Sequence, residues 1–324
     1  MKILVTGASG MLGGATARAL AERGDEVTVL QRRPAGLGLR EVLGDVTDPE
    51  VVGRAVRDQQ AVVHLAAKVN VTGAEADYRR VNVDGTRTLV RACRSAAVER
   101  LVNVSTPSVA HSGTSLVGVG AGPADPRQAR GPYARTKAEA ELLALAADSE
   151  SLAVLAIRPH IVWGPGDTQL VGRIVARAQQ GRLPLFGQAT ALVDTTYVTN
   201  AVDALVAAVD RCTSDGVHGE ALVVSNGEPR PIGEILRSIA RAGGAPLPTR
   251  HVPVRLARAA AAMAETLWSL RPGDETDPPL TRFLVEQLST AHWFDQRRTR
   301  QALDWRPAIS LDEGFAELGR AWSG

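Results

Sequence analysis

The fold of this protein is decided by a stretch at the start of the chain, residues 3–13, which reads Ile-Leu-Val-Thr-Gly-Ala-Ser-Gly-Met-Leu-Gly. The apolar residues Ile3 to Val5 are typical of a strand buried in a parallel sheet. Three glycines follow at a spacing of three, and residues 15–21 then have the composition of a helix. Strand, glycine turn and helix in this order bind a dinucleotide pyrophosphate, because the backbone approaches the phosphates closely and the helix N-terminus offers free N–H groups. The pattern alone also fits a glycine turn without a ligand.

Composition restricts the class of protein. The chain has 324 residues, of which 44% are hydrophobic, enough for one large domain or two smaller ones. Its net charge of +2 creates no strong field for nucleic acid or an anionic membrane. The two cysteines lie far apart, which suits a reducing cytoplasm better than a disulfide framework or a thiolate metal site. No signal peptide precedes the first strand and no apolar run reaches about 18 residues. We therefore expect a cytoplasmic protein with no membrane span and no nucleic-acid partner.

Short apolar strands alternate with helices through about residue 165. This alternation predicts an α/β fold, a Rossmann-type doubly wound parallel sheet covered by helices on both faces. Residues 113–131 are rich in Gly, Ala, Asp and Pro, and we interpret them as a long loop that covers the substrate. Beyond residue 165 the pattern loosens. We predict that residues 1–165 and 193–227 form the dinucleotide-binding domain, and that residues 166–192 and 228–324 form a smaller substrate-binding region.

The end of the second predicted strand bears on cofactor choice. Gln31 stands where NAD-binding folds usually carry an acidic residue, and Arg32 and Arg33 follow it. A carboxylate would repel a 2′-phosphate, whereas arginine pairs with one through a bidentate fork. We therefore predict that NADP(H) is preferred and that NAD(H) is possible. The alternative is an exposed loop with two solvated arginines.

Other strand ends contribute further candidates. Asp45 follows the third strand, where it either meets the adenine or caps the helix that begins near Asp48. Ala66 and Ala67 follow the fourth strand, and their small side chains leave room for a cofactor. Lys68 comes next, either as a contact to an anionic group of the substrate or as a solvated loop lysine.

A tyrosine and a lysine supply candidate chemistry. Tyr133 and Lys137 are four residues apart in a predicted helix that begins near Pro132, so they project from one face. The hydroxyls of Ser105 and Thr106 stand at the end of the fifth strand, residues 101–104. Together with the glycine turn, these residues resemble the extended branch of the short-chain dehydrogenase/reductase superfamily, and the resemblance covers the whole chain.

The resemblance implies a role for each of these residues. Thr106, with Ser105 as the alternative, matches the hydroxyl that aligns the substrate oxygen. Tyr133 would exchange a proton with that oxygen, and Lys137 would hold the nicotinamide ribose. A nearby ammonium and a cationic nicotinamide ring would lower the pKa of Tyr133 from its usual value of about 10.

Three segments of the second half narrow the branch. Residues 158–167, 194–198 and 291–295 resemble the 3β-hydroxysteroid dehydrogenase-like group, and within it the reductases of bacterial long-chain olefin biosynthesis. Those enzymes use NADPH to reduce a 2-alkyl-3-oxoalkanoate to the 2-alkyl-3-hydroxyalkanoate. The resemblance places Pro159, His160 and Val162 beside the nicotinamide, with His160 as backbone support. No further metal ligands stand at suitable spacing, so no metal site is predicted. Val193 replaces the arginine that sugar-nucleotide enzymes of this branch usually carry.

These observations lead to one expected function and three alternatives. We expect an NADPH-dependent ketoreductase acting on a 2-alkyl-3-oxoalkanoate or a similar apolar ketone or β-keto acid. The alternatives are a 3β-hydroxysteroid dehydrogenase, a sugar-nucleotide epimerase or dehydratase, and an NADP-sensing protein without turnover. The predicted catalytic residues are Thr106, Tyr133 and Lys137. The predicted cofactor contacts are Gly7, Ser9, Gly10, Met11, Gly13, Arg32, Arg33, Asp45, Val46, Ala66, Ala67, Tyr133, Lys137, Pro159, His160 and Val162.

Assembly is predicted by analogy with the extended family. We expect a homodimer that pairs through the helices after the fourth and fifth strands. An alanine-rich helix is predicted over residues 255–270, packed on the domain or on a twin subunit rather than on a membrane. A break rich in Gly, Pro and acidic residues follows it at 271–279, and the remainder of the chain is predicted to be mostly helical.

Overall fold

The computed structural model describes residues 1–69, 74–269 and 280–323. Its centre is a seven-stranded, wholly parallel sheet, which confirms the predicted fold class. The strand order is β3-β2-β1-β4-β5-β7-β12. In chain order these strands are β1 Lys2–Thr6, β2 Glu26–Gln31, β3 Arg40–Leu43, β4 Ala61–His64, β5 Arg100–Val104, β7 Ala153–Pro159 and β12 Glu220–Val224.

Helices cover both faces of this sheet. The described helices are α1 Met11–Glu22, α2 Pro49–Val56, α3 Glu75–Tyr78, α4 Gly85–Ser95, α5 Gly131–Leu145, α6 Val171–Gln179, α7 Val198–Arg211, α8 Ile232–Ala242, α9 Val254–Ser269, α10 Arg282–Gln287, α11 Arg297–Leu303 and α12 Leu311–Ser323. Of these, α1, α7 and α11 lie on one face of the sheet and α2, α4 and α5 on the other. A π-helical turn, Arg79–Asp84, joins α3 to α4, and a 3-10 turn, Pro107–Ala110, follows β5. Of the described helices, none combines the length and the apolar character needed to cross a bilayer.

Alternation along β1 explains why the sheet is buried on both sides. Ile3 and Val5 point into a core shared with α1 and α7, including Leu20 and Leu205. Leu4 points to the opposite face, into a core shared with α2 and α4. A strand with apolar residues at every position therefore satisfies two cores at once.

The strand order reverses between β1 and β4. The chain places β2 and β3 on one side of β1, and then β4, β5, β7 and β12 on the other side. In open parallel sheets, ligands bind beside the carboxyl ends of the strands at such a reversal. The glycine turn after β1 and Ala66 after β4 both lie there, with Thr6 paired to His64 at the strand ends.

Smaller sheets lie outside the central one. Their strands are β6 Leu116–Val119, β8 Val162–Trp163, β9 Leu185–Phe186, β10 Leu192–Val193, β11 Thr196–Tyr197, β13 Arg230–Pro231, β14 His251–Val252 and β15 His292–Phe294. One four-stranded sheet has the order β13-β10-β15-β6.

One sequence prediction about these regions needs correction. The segment 113–131 is not entirely loop, because β6 pairs with β15 within it. The C-terminal segment is mostly helical as predicted, with α10, α11 and α12, and it also contains the short strand β15. Both strands were missed because each finds its partner about 175 residues away, a distance at which local composition carries no signal. The predicted helix over 255–270 is observed as α9; Leu270 and the predicted break at 271–279 lie outside the described residues.

Candidate active site

Two of the three glycines after β1 are required by the protein's own packing. Gly7 has φ +78°, and a Cβ there would approach the amide nitrogen of Ala66 to 2.8 Å. A Cβ on Gly13 would lie 2.4 Å from the carbonyl oxygen of Gly7. These positions therefore close the turn and seat α1 against β1.

Gly10 has a different environment. A Cβ there would meet only the Gly7 oxygen at 3.5 Å, an ordinary contact, so packing does not demand glycine. The space lies at the N-terminus of α1, which has neither a capping side chain nor an acidic residue in its first turn. Ser9 and Met11 flank it. Unfilled space beside free helical N–H groups fits a dinucleotide pyrophosphate.

The end of β2 offers an unused acceptor. Gln31 is buried, and its amide nitrogen donates to Glu41 Oε1 at 3.1 Å. Its Oε1 is also buried and has no partner within the described chain, which fits an acceptor for a ribose hydroxyl. Arg32 and Arg33 are exposed, with no ion pair to any residue the structure describes. Within the described chain, two exposed cations without an ion-pair partner therefore follow β2, and their contact with a 2′-phosphate stays a prediction.

Asp45 does not cap the helix after β3. Asp48 caps α2, accepting from the amides of Glu50 at 2.9 Å and Val51 at 3.3 Å. The Asp45 carboxylate instead accepts from both the amide and the hydroxyl of Thr47, and it pairs with Arg80 at 3.3 Å. Val46 beside it is buried. A contact of Asp45 or Val46 with the adenine stays a prediction.

The catalytic candidates come together at the carboxyl end of β5. Thr106 begins the 3-10 turn, where its hydroxyl accepts from the Ser108 amide at 3.3 Å and remains partly exposed. Tyr133 and Lys137 lie on the first two turns of α5, with Tyr133 half-buried and Lys137 buried. The Lys137 ammonium donates to the Val104 carbonyl at 2.6 Å, which fixes it against the strand end.

Burial controls the protonation of this group. It raises the pKa of Tyr133 to about 12, and the Thr106 side chain acts in the opposite direction. The protein without cofactor therefore keeps Tyr133 neutral. Lowering of this pKa by Lys137 together with a bound nicotinamide ring stays a prediction. Burial also lowers the pKa of Lys137 to about 8, opposed by the charge of Glu141. The reason in both cases is that charge is unfavourable in a dry site.

A buried chain of hydrogen bonds, which the sequence interpretation missed, joins the glycine turn to α5. The Thr6 hydroxyl accepts from the amides of Leu65 and Ala66, so its own proton goes to His64 Nδ1 at 2.8 Å. His64 Nε2 then donates to Thr86 at 3.1 Å, and the Thr86 hydroxyl donates to the Asn82 carbonyl at 2.6 Å.

Asn82 carries the chain onward. Its amide nitrogen donates to the Thr136 hydroxyl at 3.1 Å, and its side-chain oxygen accepts from the Lys68 amide at 2.8 Å. Asn82 sits in the π-helical turn, a feature frequent at functional sites. The signal available in the sequence was Asn82 and Thr86 at a spacing of four, and hence on one helical face.

The Lys68 ammonium has partners within the protein. It pairs with Asp77 at 3.4 Å and lies over the ring of Tyr78 at 5.4 Å from the centroid. These contacts favour the surface interpretation of Lys68 over contact with a substrate anion.

A buried ion pair ties α5 to the end of β7. Arg158 and Glu141 are each 1% exposed and form two hydrogen bonds, of 2.8 and 2.5 Å. Arg158 also donates to the carbonyls of Ala121 and Gly122. The signal available in the sequence was Glu141, four residues after Lys137 and hence on the same helical face.

The residues after Arg158 occupy the positions expected of backbone support. Pro159 ends β7, and His160 Nδ1 donates to the Asp194 carbonyl at 2.5 Å. Burial lowers the pKa of His160 to about 4, so its ring is neutral. Val162 lies on β8, paired with Thr196. Contact of these residues with a nicotinamide stays a prediction. Within the described ranges, no group of three or more His, Cys, Asp or Glu side chains is arranged to hold a metal ion.

The reversal of strand order, the glycine turn and the Thr106–Tyr133–Lys137 group together define a nicotinamide-dependent enzyme of the short-chain dehydrogenase/reductase type. Residues 3–225 match the family model described as "NAD dependent epimerase/dehydratase family", and the chain belongs to that family. This confirms the resemblance noted in the sequence, and the protein is an NAD(P)-dependent oxidoreductase.

Individual relatives refine the placement. The chain is 42% identical to a 2-alkyl-3-oxoalkanoate reductase of Stenotrophomonas maltophilia, over 98% of each chain. It is 36% identical to a protein of the same name from Shewanella oneidensis, over 97% of this chain and 84% of that one. Among solved structures, MoeE5 in complex with UDP-glucose and NAD superposes with a TM-score of 0.75 at 27% identity, covering 99% of this chain and 98% of that chain.

Proposed function

We propose that this protein is an NADPH-dependent ketoreductase that converts the ketone of a 2-alkyl-3-oxoalkanoate, or a similar apolar β-keto acid, to the alcohol. The observation that carries the proposal is the meeting of Thr106, at the end of β5, with Tyr133 and Lys137 of α5, whose ammonium is held by the Val104 carbonyl. The names of the two relatives described above support the choice of substrate class.

The protonation state of Tyr133 suits reduction. The bound cofactor would supply hydride to the carbonyl carbon. Thr106 would donate its hydroxyl hydrogen bond to the substrate oxygen and orient it. Tyr133, kept protonated by burial, would then give its proton to that oxygen as negative charge develops there. Lys137 would hold the ribose and, as a cation, favour the tyrosinate that is left behind.

Residues near β10 disfavour a sugar nucleotide. Val193, where the epimerases carry arginine, is completely buried in β10 and has no room to present a cation. Its neighbour across the sheet, Arg230, is already paired with Glu228, Glu234 and Asp312. A diphosphate would therefore find no available guanidinium at this position.

The remaining parts of the proposal rest on the sequence. We infer a preference for NADPH from Arg32 and Arg33, a homodimer through α4 and α5, and a cytoplasmic location. The division into a dinucleotide-binding domain at 1–165 and 193–227 and a substrate-binding region at 166–192 and 228–324 also stays a prediction.

One experiment tests the reaction. NADPH oxidation is followed with a 2-alkyl-3-oxoalkanoate, a steroid ketone and a UDP-sugar, for wild type and for Tyr133→Phe. We expect turnover of the first substrate, and a loss of about 10²–10⁴-fold in Tyr133→Phe with NADPH affinity nearly unchanged. Turnover of the steroid ketone alone would select the steroid dehydrogenase alternative. Response to the UDP-sugar alone, or full activity of the phenylalanine variant, would refute the proposal.

A further inference from the structure

A cavity of about 320 Å³ is lined by Pro107, the residue that follows Thr106 in the chain. Pro107 and Ala110, on the turn that begins immediately after Thr106, form one wall. Leu116 and Val119 of β6 and Phe294 of β15 form further parts of the lining. The volume is at the lower end of the range for small-molecule pockets, about 300–1,000 Å³, and so suits part of a substrate rather than a whole cofactor.

The charge of the lining side chains determines which kind of ligand the cavity accepts. Asp125 is the one charged side chain in the lining, all of which belongs to the described part of the chain. Its carboxylate already accepts from the Arg127 amide at 2.8 Å and the Gln128 side chain at 2.7 Å. An apolar interior with an acidic rim repels phosphate and accepts hydrocarbon.

The part of the lining formed by Ala121 and Gly122 is connected to helix α5 through Arg158. Arg158 binds the carbonyls of Ala121 and Gly122, both in the lining, while its guanidinium is paired with Glu141 of α5. Tyr133 and Lys137 lie on that same helix. A chain seated in the cavity would therefore keep a defined distance from the group that protonates the ketone.

Gly120 leaves the cavity open. A Cβ there would meet nothing within 4 Å, and its φ lies outside the left-handed region, so packing and backbone both allow a larger residue. The neighbouring residue Val119 is apolar and 40% exposed, so it forms a hydrophobic edge of the cavity.

We propose that this cavity, between the 3-10 turn after Thr106 and strands β6 and β15, is the subsite for one alkyl chain of the substrate, with Val119 and Gly120 controlling chain entry. The inference rests on the proposed function for the identity of the substrate. It assigns to the β6 region the selection of chain length, a role separate from the chemistry of Thr106 and Tyr133.

The test measures binding, so that it does not depend on turnover. cis-Parinaric acid, a long-chain fatty acid that becomes fluorescent in apolar sites, is titrated into wild type and two matched variants. Val119→Asp places a carboxylate at the cavity. Val117→Asp makes the same change two residues away on the same strand, at a side chain that is 54% exposed and outside the lining. We expect Val119→Asp to raise the dissociation constant by about tenfold or more, because a carboxylate replaces an apolar contact with the alkyl chain. Val117→Asp should leave the dissociation constant within about twofold of the wild-type value.

A second variant tests the space itself. Gly120→Leu should fill the cavity and weaken cis-parinaric acid binding by a similar factor. Its control is Gly53→Leu on α2, another glycine with open space around it. Equal effects of the two valine variants, or wild-type binding in both Val119→Asp and Gly120→Leu, would overturn the subsite. Failure of wild type to reduce any β-keto acid would instead overturn the proposed function. The binding measurement would still show whether the cavity accepts an alkyl chain.

Discussion

Glycines in one short motif serve different purposes at the scale of single residues. Gly7 and Gly13 are required because added Cβ atoms would collide with backbone at 2.8 and 2.4 Å. Gly10 has room for a methyl group and is glycine for another reason, which the free N-terminus of α1 suggests is a ligand. Spacing alone could not separate these roles, since the pattern G-x-x-G-x-x-G treats all three alike.

Arg32 and Arg33 are expected to choose the cofactor. Changing both to alanine should raise the dissociation constant of NADPH by about tenfold or more, since charge-assisted bonds to a 2′-phosphate would be lost. The affinity for NADH should change little, because NADH has no 2′-phosphate. Fluorescence titration with each cofactor provides the measurement. An equal loss for NADH and NADPH would show that the arginines act on the fold instead.

Lys137 is expected to make stability depend on pH. Its pKa in the folded protein, about 8, lies below its unfolded value, so the unfolded state binds more protons between about pH 8 and pH 10. The contribution of Lys137 to the free energy of unfolding therefore rises with pH in that window, and is least favourable below pH 8. A pKa shift of this size corresponds to about 3 kcal/mol of unfolding free energy. A variant that lacks the ammonium also loses its hydrogen bond to the Val104 carbonyl, which offsets part of that gain.

Lys137→Met isolates this effect. At pH 7 the variant should be at least as stable as wild type in urea unfolding, although turnover is lost. As pH rises from 8 to 10, its advantage over wild type should shrink. A stability difference that is the same at pH 7 and pH 10 would contradict the assigned ionisation of the buried ammonium.

Helix α5 organises the site at the scale of elements. It carries Lys137 to the end of β5, and Glu141 one turn further to Arg158 of β7. Helical periodicity was enough to predict that Tyr133 and Lys137 share a face. The partner of Glu141 was not predictable, since Arg158 reaches it only when α5 packs over the end of β7.

The Arg158–Glu141 pair should be strongly coupled. Arg158→Met leaves the Glu141 carboxylate buried and unpaired, which costs about 3–5 kcal/mol of unfolding free energy. Adding Glu141→Leu should recover a large part of that loss, because no uncompensated charge then remains. Urea unfolding of the two single variants and the double variant completes the cycle.

An exposed pair of the same residue types serves as the control. Arg135 and Glu75 are 39% and 49% exposed, and Arg135→Met should cost less than about 1 kcal/mol. A cost for Arg158→Met no greater than that for Arg135→Met would refute the structural importance of the buried pair.

Two exposed apolar features concern the molecule as a whole. Leu142 on α5 is 44% exposed, on one of the two helices proposed for the dimer. On α9, Leu256, Met263 and Leu267 are each more than half exposed and recur on one helical face. If the homodimer forms through α4 and α5, Leu142 lies in it and the α9 face does not.

Sedimentation velocity should separate these faces. Leu142→Arg is expected to shift the protein toward the monomer by burying a charge in an apolar interface. Met263→Arg should leave the sedimentation coefficient unchanged. The reverse result would place the pairing surface on α9, and a monomeric wild type would remove the dimer proposal altogether.

The sequence alone determined those features of the protein that depend on residues close together in the chain. Apolar strands that serve two cores, a glycine turn before a helix, and a tyrosine and lysine four residues apart each depend on neighbours in the chain. Those signals were sufficient for the Rossmann-type sheet and the family, and they predict the catalytic group. Only the tertiary structure decided that β6 pairs with β15, that Asn82 and His64 join the glycine turn to α5, and that Arg158 fastens the wall of an apolar cavity. The physical reason is that these contacts join residues far apart in the chain, and their energies depend on burial and geometry that exist only after the sheet and its covering helices have packed together.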